Sequence, residues 1–250
     1  HISRKEQDAF AVHSQNKAAA ARAAGLFEAE IVPISLAEGT MTADEGIRPG
    51  STVEKLATLK TAFKKEGTVT AGNASTINDG AAALLVASKD YADQKGLPYL
   101  AVIKEGSEIG IDPAVMGIAP ITAIRKLLEK AELTIADIDL FEINEAFAAS
   151  SIVVERELEI PAEKINIYGG GISLGHAIGA TGARILTTLG HQLQAQHKRY
   201  GVASLCIGGG LGLAVLLEAV PKKASNQKKK RQRFYELTPA ERLADLETRG

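Results

Sequence analysis

An α/β fold is what this sequence predicts, on three observations. In its second half, short apolar runs of strand length alternate with longer segments of helical period. Two of those runs end in glycine clusters, the punctuation of a strand followed by a tight turn. Finally, 45% of the 250 residues are apolar and the net charge is −1, a composition that supports a sizeable core and excludes disorder as the default.

The elements follow in order. Ser3-Arg-Lys-Glu6 is a capping box, an alanine-rich run follows it, and Gly25 suits the position after the last turn. Phe27 to Ile34 alternates in part and predicts a strand closed by Pro33. Residues 39–65 are polar with scattered apolar anchors, the profile of a loop-rich layer. Ala81–Ala87, after Asn78-Asp79-Gly80, predicts a buried strand after a turn. A second α/β unit opens near Pro98 with a strand at Tyr99–Ile103. Pro120 then starts a helix with Ile121, Ile124, Leu128 and Ala131 on one face. Ile138–Ile143 predicts a strand, Glu145–Leu158 a helix, Ile165–Tyr168 a short strand and His176–Lys198 a long helix. Two apolar strands close the unit, Val202–Ile207 and Leu213–Val220.

Composition narrows the function. A single cysteine excludes an internal disulfide and a cysteine-based zinc site, and predicts a reducing, cytoplasmic setting. No pair among the five histidines has metal-ligand spacing with carboxylates, so no metal site is expected. The uncharged stretch Tyr200–Leu217 holds five glycines and predicts strands and a turn, not a membrane helix. The start at His1, without a leader, predicts an internal cut. From Lys222 to Gly250 there are 9 Lys/Arg against 4 Asp/Glu, which marks a boundary near Pro221. Lys222–Arg233 lacks interleaved aromatics, so a solvated linker is expected there, with neither nucleic acid nor membrane as partner.

The glycine clusters are Gly169-Gly-Gly171 and Gly208-Gly-Gly210. Counted from Gly169 or Gly208, the sixth position of a dinucleotide fingerprint is Leu174 or Leu213, so both fail. Close backbone approach, or amides aimed at a developing negative charge, is the remaining use. Reactive residue types gather at the same places. His176 follows one cluster at a predicted helix start, where the dipole would favour neutral imidazole. Cys206 ends a strand before the other, and Asn144 and Glu145 stand at a strand-to-helix junction. Alone, each is equally at home in a core or on a surface; three strand ends together point to a site.

The residues that carry a resemblance are Ile2–Phe10, Thr68–Gly80, Val115–Gly117, Asn144-Glu-Ala-Phe-Ala-Ala149, Gly169–Arg184 and Leu205–Gly210. Over about residues 2–220 the sequence resembles the thiolase family, specifically its acetyl-CoA acetyltransferases. The resemblance implies a layered α-β-α-β-α fold with the amino-terminal part, and its nucleophilic cysteine, missing. Residues 1–77 would be the later part of a loop domain, 78–97 the end of the first half, and 98–220 the second half. It also implies roles. His176 matches the histidine that activates the nucleophile and holds the thioester oxygen, and Asn144 the asparagine that places a water in that oxyanion hole. Cys206 matches the acid/base that works on the α-carbon of the second acetyl-CoA. Gly208 matches the glycine whose N–H holds the tetrahedral oxyanion. Arg48, Ala71, Ser75, Met116, Ala146 and Phe147 match the coenzyme A site; Glu145 could equally be a structural acceptor. Ala177 departs from the family's proline, at a small expected cost in stability.

The expected reaction joins two acetyl-CoA into acetoacetyl-CoA, with coenzyme A as substrate and product and no cofactor, in a homo-oligomer (dimer or tetramer). Alternatives are a degradative 3-ketoacyl-CoA thiolase and a non-catalytic, lipid-binding scaffold of the same fold. After the basic linker at 221–233, residues 234–250 resemble the opening of class II hydroxymethylglutaryl-CoA reductases. That implies a bifunctional bacterial protein of the mevalonate pathway, whose second enzyme uses NADPH or NADH.

Overall fold

The computed structural model describes residues 1–220; the linker expected at 221–233 and the reductase opening expected at 234–250 lie outside the described residues. Helix α1 (Arg4–Ala23) begins as its sequence dictates: Ser3 caps it in a capping box with Glu6, and Gly25 follows its end at φ +68°. Its buried face is small and polar, with Ala11, Ser14, Gln15 and Ala18.

The strand expected at residues 27–34 is not there. Phe27 instead opens a turn, its carbonyl accepting from the Glu30 and Ile31 amides, with its ring edge-on to Tyr168 at 5.8 Å. Pro33 cannot donate to a ladder, so pairing starts after it, in a hairpin of β1 (Ile34–Leu36) and β2 (Gly39–Met41). The loop-rich layer holds one short helix, α2 (Val53–Ala57). Residues 80–88 have no regular structure, which corrects the strand expected at 81–87: Leu85 is 96% exposed. A strand exists only by pairing, and among the described residues none runs beside this segment. Ser88 caps α3 (Lys89–Gln94) directly after it.

The second unit forms as expected, with shifted bounds. It comprises β3 (Ala101–Gly110), α4 (Ala119–Ala131), β4 (Leu140–Ile143), α5 (Ala148–Leu158), α6 (Gly171–Leu174), α7 (Thr181–Ala195), β5 (Tyr200–Ile207) and β6 (Leu211–Ala219). The sheet order is β3-β6-β5-β4, antiparallel except for the parallel β4/β5 pair. Side chains alternate across it. Phe141, Ile143, Val202 and Leu216 pack under Ile124, Leu127 and Leu128 of α4. On the opposite face Leu140, Ala203 and Leu217 pack against Ile185, Leu189 and Leu193 of α7. A sheet thus lies between two helix layers. The short strand expected at 165–168 is reduced to isolated bridges, Ile165 to Phe141 and Ile167 to Gly169. Among the described residues no helix is long and apolar enough to cross a membrane.

Candidate active site

Parallel pairing sets the site. Leu140–Ile143 runs beside Gly201–Ser204 in register, and the Asn144 amide continues the ladder to the Ser204 carbonyl at 3.0 Å. Asn144 and Cys206 therefore stand at the carboxyl ends of adjacent parallel strands, the edge where α/β sheets place their ligands. Cys206 is half-buried and faces Gly212 across the β5/β6 pair, one residue before the strand ends. Burial pushes its thiol above the usual range. Gly208, in the turn that follows, is exposed, with open space around it.

His176 arrives from the other glycine cluster. It is not on a helix: Gly175, at φ +92°, turns the chain, and α7 begins only at Thr181. The helix dipole expected at His176 is thus not what acts on it. Its pKa is lowered by burial first and by the Arg184 charge second. The His176 amide donates to the Thr76 carbonyl (3.1 Å) and to Asn78 Oδ1 (3.2 Å), which fastens it to the loop layer. Its Nε2 lies 3.5 Å from Asn144 Nδ2, and its Nδ1 2.6 Å from Thr181 Oγ1. Asn144 is 5% exposed, and its Oδ1 is buried without a hydrogen-bond partner. That oxygen faces Gly171, where a Cβ would lie 2.8 Å away, while the Nδ2 end of the amide meets the imidazole; a buried amide oxygen without a partner is an acceptor for a bound water.

Glu145 is the residue that sequence reasoning undervalued. Only 2% exposed, it accepts from Ser14 Oγ (2.7 Å), Asn166 Nδ2 (2.9 Å) and the Ile172 amide (3.2 Å). One carboxylate thereby ties α1, the end of β4 and the glycine turn that carries His176. Any side chain at Gly170 would collide with it, at 2.4 Å from a Cβ. Asn166, held at φ +43°, bonds both the amide and carbonyl of Ile143 and squares off the strand end. Neither Asn166 nor Thr181 stood out in the sequence; an Asn in the left-handed region is a signal only once φ is known.

The six residues matched to coenzyme A divide. Ser75 donates its amide to the Ala146 carbonyl at 3.0 Å, Ala74 bridges Phe147, and the Ala148 amide bonds the Asn73 carbonyl at 2.9 Å. Ser75, Ala146 and Phe147 are therefore adjacent, with the Phe63 ring edge-on to Phe147 at 6.2 Å. Met116 sits in a 3-10 turn, Pro113–Ile118, packed so tightly on α5 that a Cβ at Gly117 would lie 2.9 Å from Ser150. Ala71 and Arg48 are exposed in the loop layer. Arg48 is tied through its amide to Gln15 Oε1 (2.7 Å), and among the described residues no hydrogen bond joins its guanidinium to the other five.

The thiolase amino-terminal domain matches residues 1–90 and the thiolase carboxyl-terminal domain residues 97–219. The chain is 54% identical over 221 residues to a probable acetyl-CoA acyltransferase of Staphylococcus epidermidis, covering 86% of this chain and 56% of that protein. A Staphylococcus aureus protein of the same description is 53% identical over the same shares. The crystal structure of the Bacillus anthracis acetyl-CoA acetyltransferase superposes with a TM-score of 0.84 at 49% identity, covering 88% of this chain and 57% of that one. Human mitochondrial 3-ketoacyl-CoA thiolase in complex with CoA gives 0.83 at 44% identity, covering 88% and 55%. The chain spans about half the length of the curated relatives it matches.

Proposed function

The chain belongs to the thiolase family, and from that premise we propose that it carries the condensing half of an acetyl-CoA C-acetyltransferase site. The observation that carries the reading is His176 Nε2 beside the open amide of Asn144, on the sheet edge that also ends in Cys206. Cys206 is the sole cysteine, so the acyl-carrying nucleophile comes from a segment outside this sequence, matching the greater length of the relatives.

His176 Nε2 takes the proton of the nucleophilic thiol, whose sulfur attacks the first acetyl-CoA; the departing coenzyme A thiolate takes the Cys206 proton, which leaves Cys206 as the thiolate. The thiolate of Cys206 removes an α-proton from the second acetyl-CoA, while the enolate oxygen is held by the Nε2–H of His176 and a water on Asn144. The α-carbon attacks the acyl thioester, the Gly208 amide holds the resulting oxyanion, and collapse returns the nucleophile and acetoacetyl-CoA. In the cleavage direction Cys206 starts as the thiol and gives its proton to that carbon, the form its burial favours. Ser75, Ala146 and Phe147 would line the pantetheine arm, with Arg48 and Ala71 toward its nucleotide end.

A degradative 3-ketoacyl-CoA thiolase is the second reading, favoured by the likeness to the human mitochondrial enzyme. Met116 separates the two, since a bulky side chain at the acyl pocket suits acetyl over longer chains. The test is thiolysis by the parent protein: faster cleavage of acetoacetyl-CoA than of 3-ketooctanoyl-CoA supports the first reading, the reverse supports the second, and no cleavage of either refutes both. We further propose that the basic run after residue 220 links this unit to a hydroxymethylglutaryl-CoA reductase using NADPH or NADH, which makes the protein bifunctional in the mevalonate pathway. A stop codon shortly after Gly250 in the parent reading frame would refute the fusion alone.

A further inference from the structure

Thr181 opens α7 with 2% of its surface exposed, and it meets the His176 ring at the nitrogen turned away from Asn144. Its hydroxyl lies 2.6 Å from Nδ1 and donates to the Ala177 carbonyl at 2.9 Å, the backward bond common for Thr in a first helical turn. A hydroxyl has one hydrogen and two lone pairs. With the hydrogen on Ala177, only a lone pair is left for the ring, and two lone pairs repel at 2.6 Å. Nδ1 must then carry the ring hydrogen. On the opposite edge the Asn144 side-chain amide lies 3.5 Å from Nε2, and either end of that amide can be turned to the ring, so the Thr181 contact alone sets the tautomer.

We propose that Thr181 is a positioning residue that fixes neutral His176 as its Nδ1–H tautomer, with the Nε2 lone pair turned to the site. Free histidine prefers the other tautomer, so the fold inverts an intrinsic preference. Thr181 goes on accepting from Nδ1 after Nε2 takes a proton, so the same ring pose serves first as base and then as Nε2–H donor. The tautomer stands on geometry alone; its use in proton transfer rests on the acyltransferase reading. The charge acting on the ring is Arg184, on the same helix, while Asn144 from the end of β4 and Thr76 and Asn78 from the loop layer present neutral groups.

Nitrogen-15 NMR of the imidazoles tests this in the protein, with the His176 signals assigned by their loss in His176→Gln. The expected wild-type spectrum, above the titration, has a protonated Nδ1 and a pyridine-like Nε2. Thr181→Val should move the ring toward Nε2–H and lower the His176 pKa further, by about half a unit, because an acceptor at Nδ1 favours the cation. Thr181→Ser should restore both. Dominant Nε2–H in the wild type overturns the proposal, as does an unchanged tautomer in Thr181→Val. Should the valine variant not fold, the wild-type and serine spectra decide. None of these readouts needs turnover, so failure here leaves the acyltransferase reading standing.

Discussion

His176 and Cys206 are both half-buried, and burial pushes them in opposite directions, the imidazole toward the free base and the thiol toward the acid. Each is thereby held in the neutral form near pH 7. For a base this moves the acid limb down: in the parent protein, acylation should keep its rate to below pH 6.5, the ordinary histidine value. A stopped-flow pH profile with its limb above 6.5 would contradict that. The two residues also divide by half-reaction. His176→Ala should slow both acylation and condensation by about 10²-fold or more, whereas Cys206→Ser should slow condensation by that much and acylation far less. Burst and steady-state rates separate the cases; equal losses in Cys206→Ser would reassign it. Asn144, His176 and Cys206 could be singled out from the sequence because glycines and strand ends flag exposed backbone. Asn166 and Thr181 could not, and Glu145 stood out only by its place beside Asn144, since these three act through partners 21 to 131 residues distant or through a ring edge that spacing does not reveal.

At the scale of elements, local chemistry was legible and pairing was not. The Ser3 capping box, Pro120 at the start of α4, and the apolar runs of β5 and β6 are decided by near neighbours, and the elements form where those signals stand. Residues 27–34 and 81–87 carry strand-like sequence, yet strands depend on partners that no local pattern supplies. The long helix expected from His176 starts five residues later because Gly175 takes a left-handed turn. That turn is restrictive. A Cβ at Gly175 would lie 2.4 Å from Asn78 Oδ1, the atom that receives the His176 amide. Gly175→Ala should cost about 1–3 kcal/mol and displace His176. Urea unfolding together with the acylation rate checks it: an unperturbed variant in both would show that the turn does not hold the histidine.

Across the whole molecule, α7 carries a buried charge cluster behind the site. Glu142, 1% exposed, bonds Arg184 at 3.3 Å and Gln192 at 2.7 Å, yet burial outweighs both and pushes its pKa up to about 7. Thr188 donates to Glu30, likewise pushed up to about 7 by burial. For Glu142, the folded value stands above the ordinary 4.5, so folding favours its protonated form. Its contribution is full below pH 4.5 and is lost as pH rises through 7, a swing on the order of 3 kcal/mol at most. Glu142→Gln should therefore gain stability relative to wild type between pH 5 and pH 8. Urea midpoints at the two pH values test this, and a constant difference would place the charge elsewhere.

In the proposed reaction Cys206, at the sheet edge that also carries Asn144, abstracts the α-proton of a thioester. Deuterium exchange into the methyl group of acetyl-CoA, followed by mass spectrometry with the parent protein in heavy water, measures that step without waiting for carbon–carbon bond formation. Exchange well above the uncatalysed rate, reduced about 10²-fold or more by Cys206→Ser and by His176→Ala, is the predicted result. Exchange that survives loss of the Cys206 thiol would contradict the account.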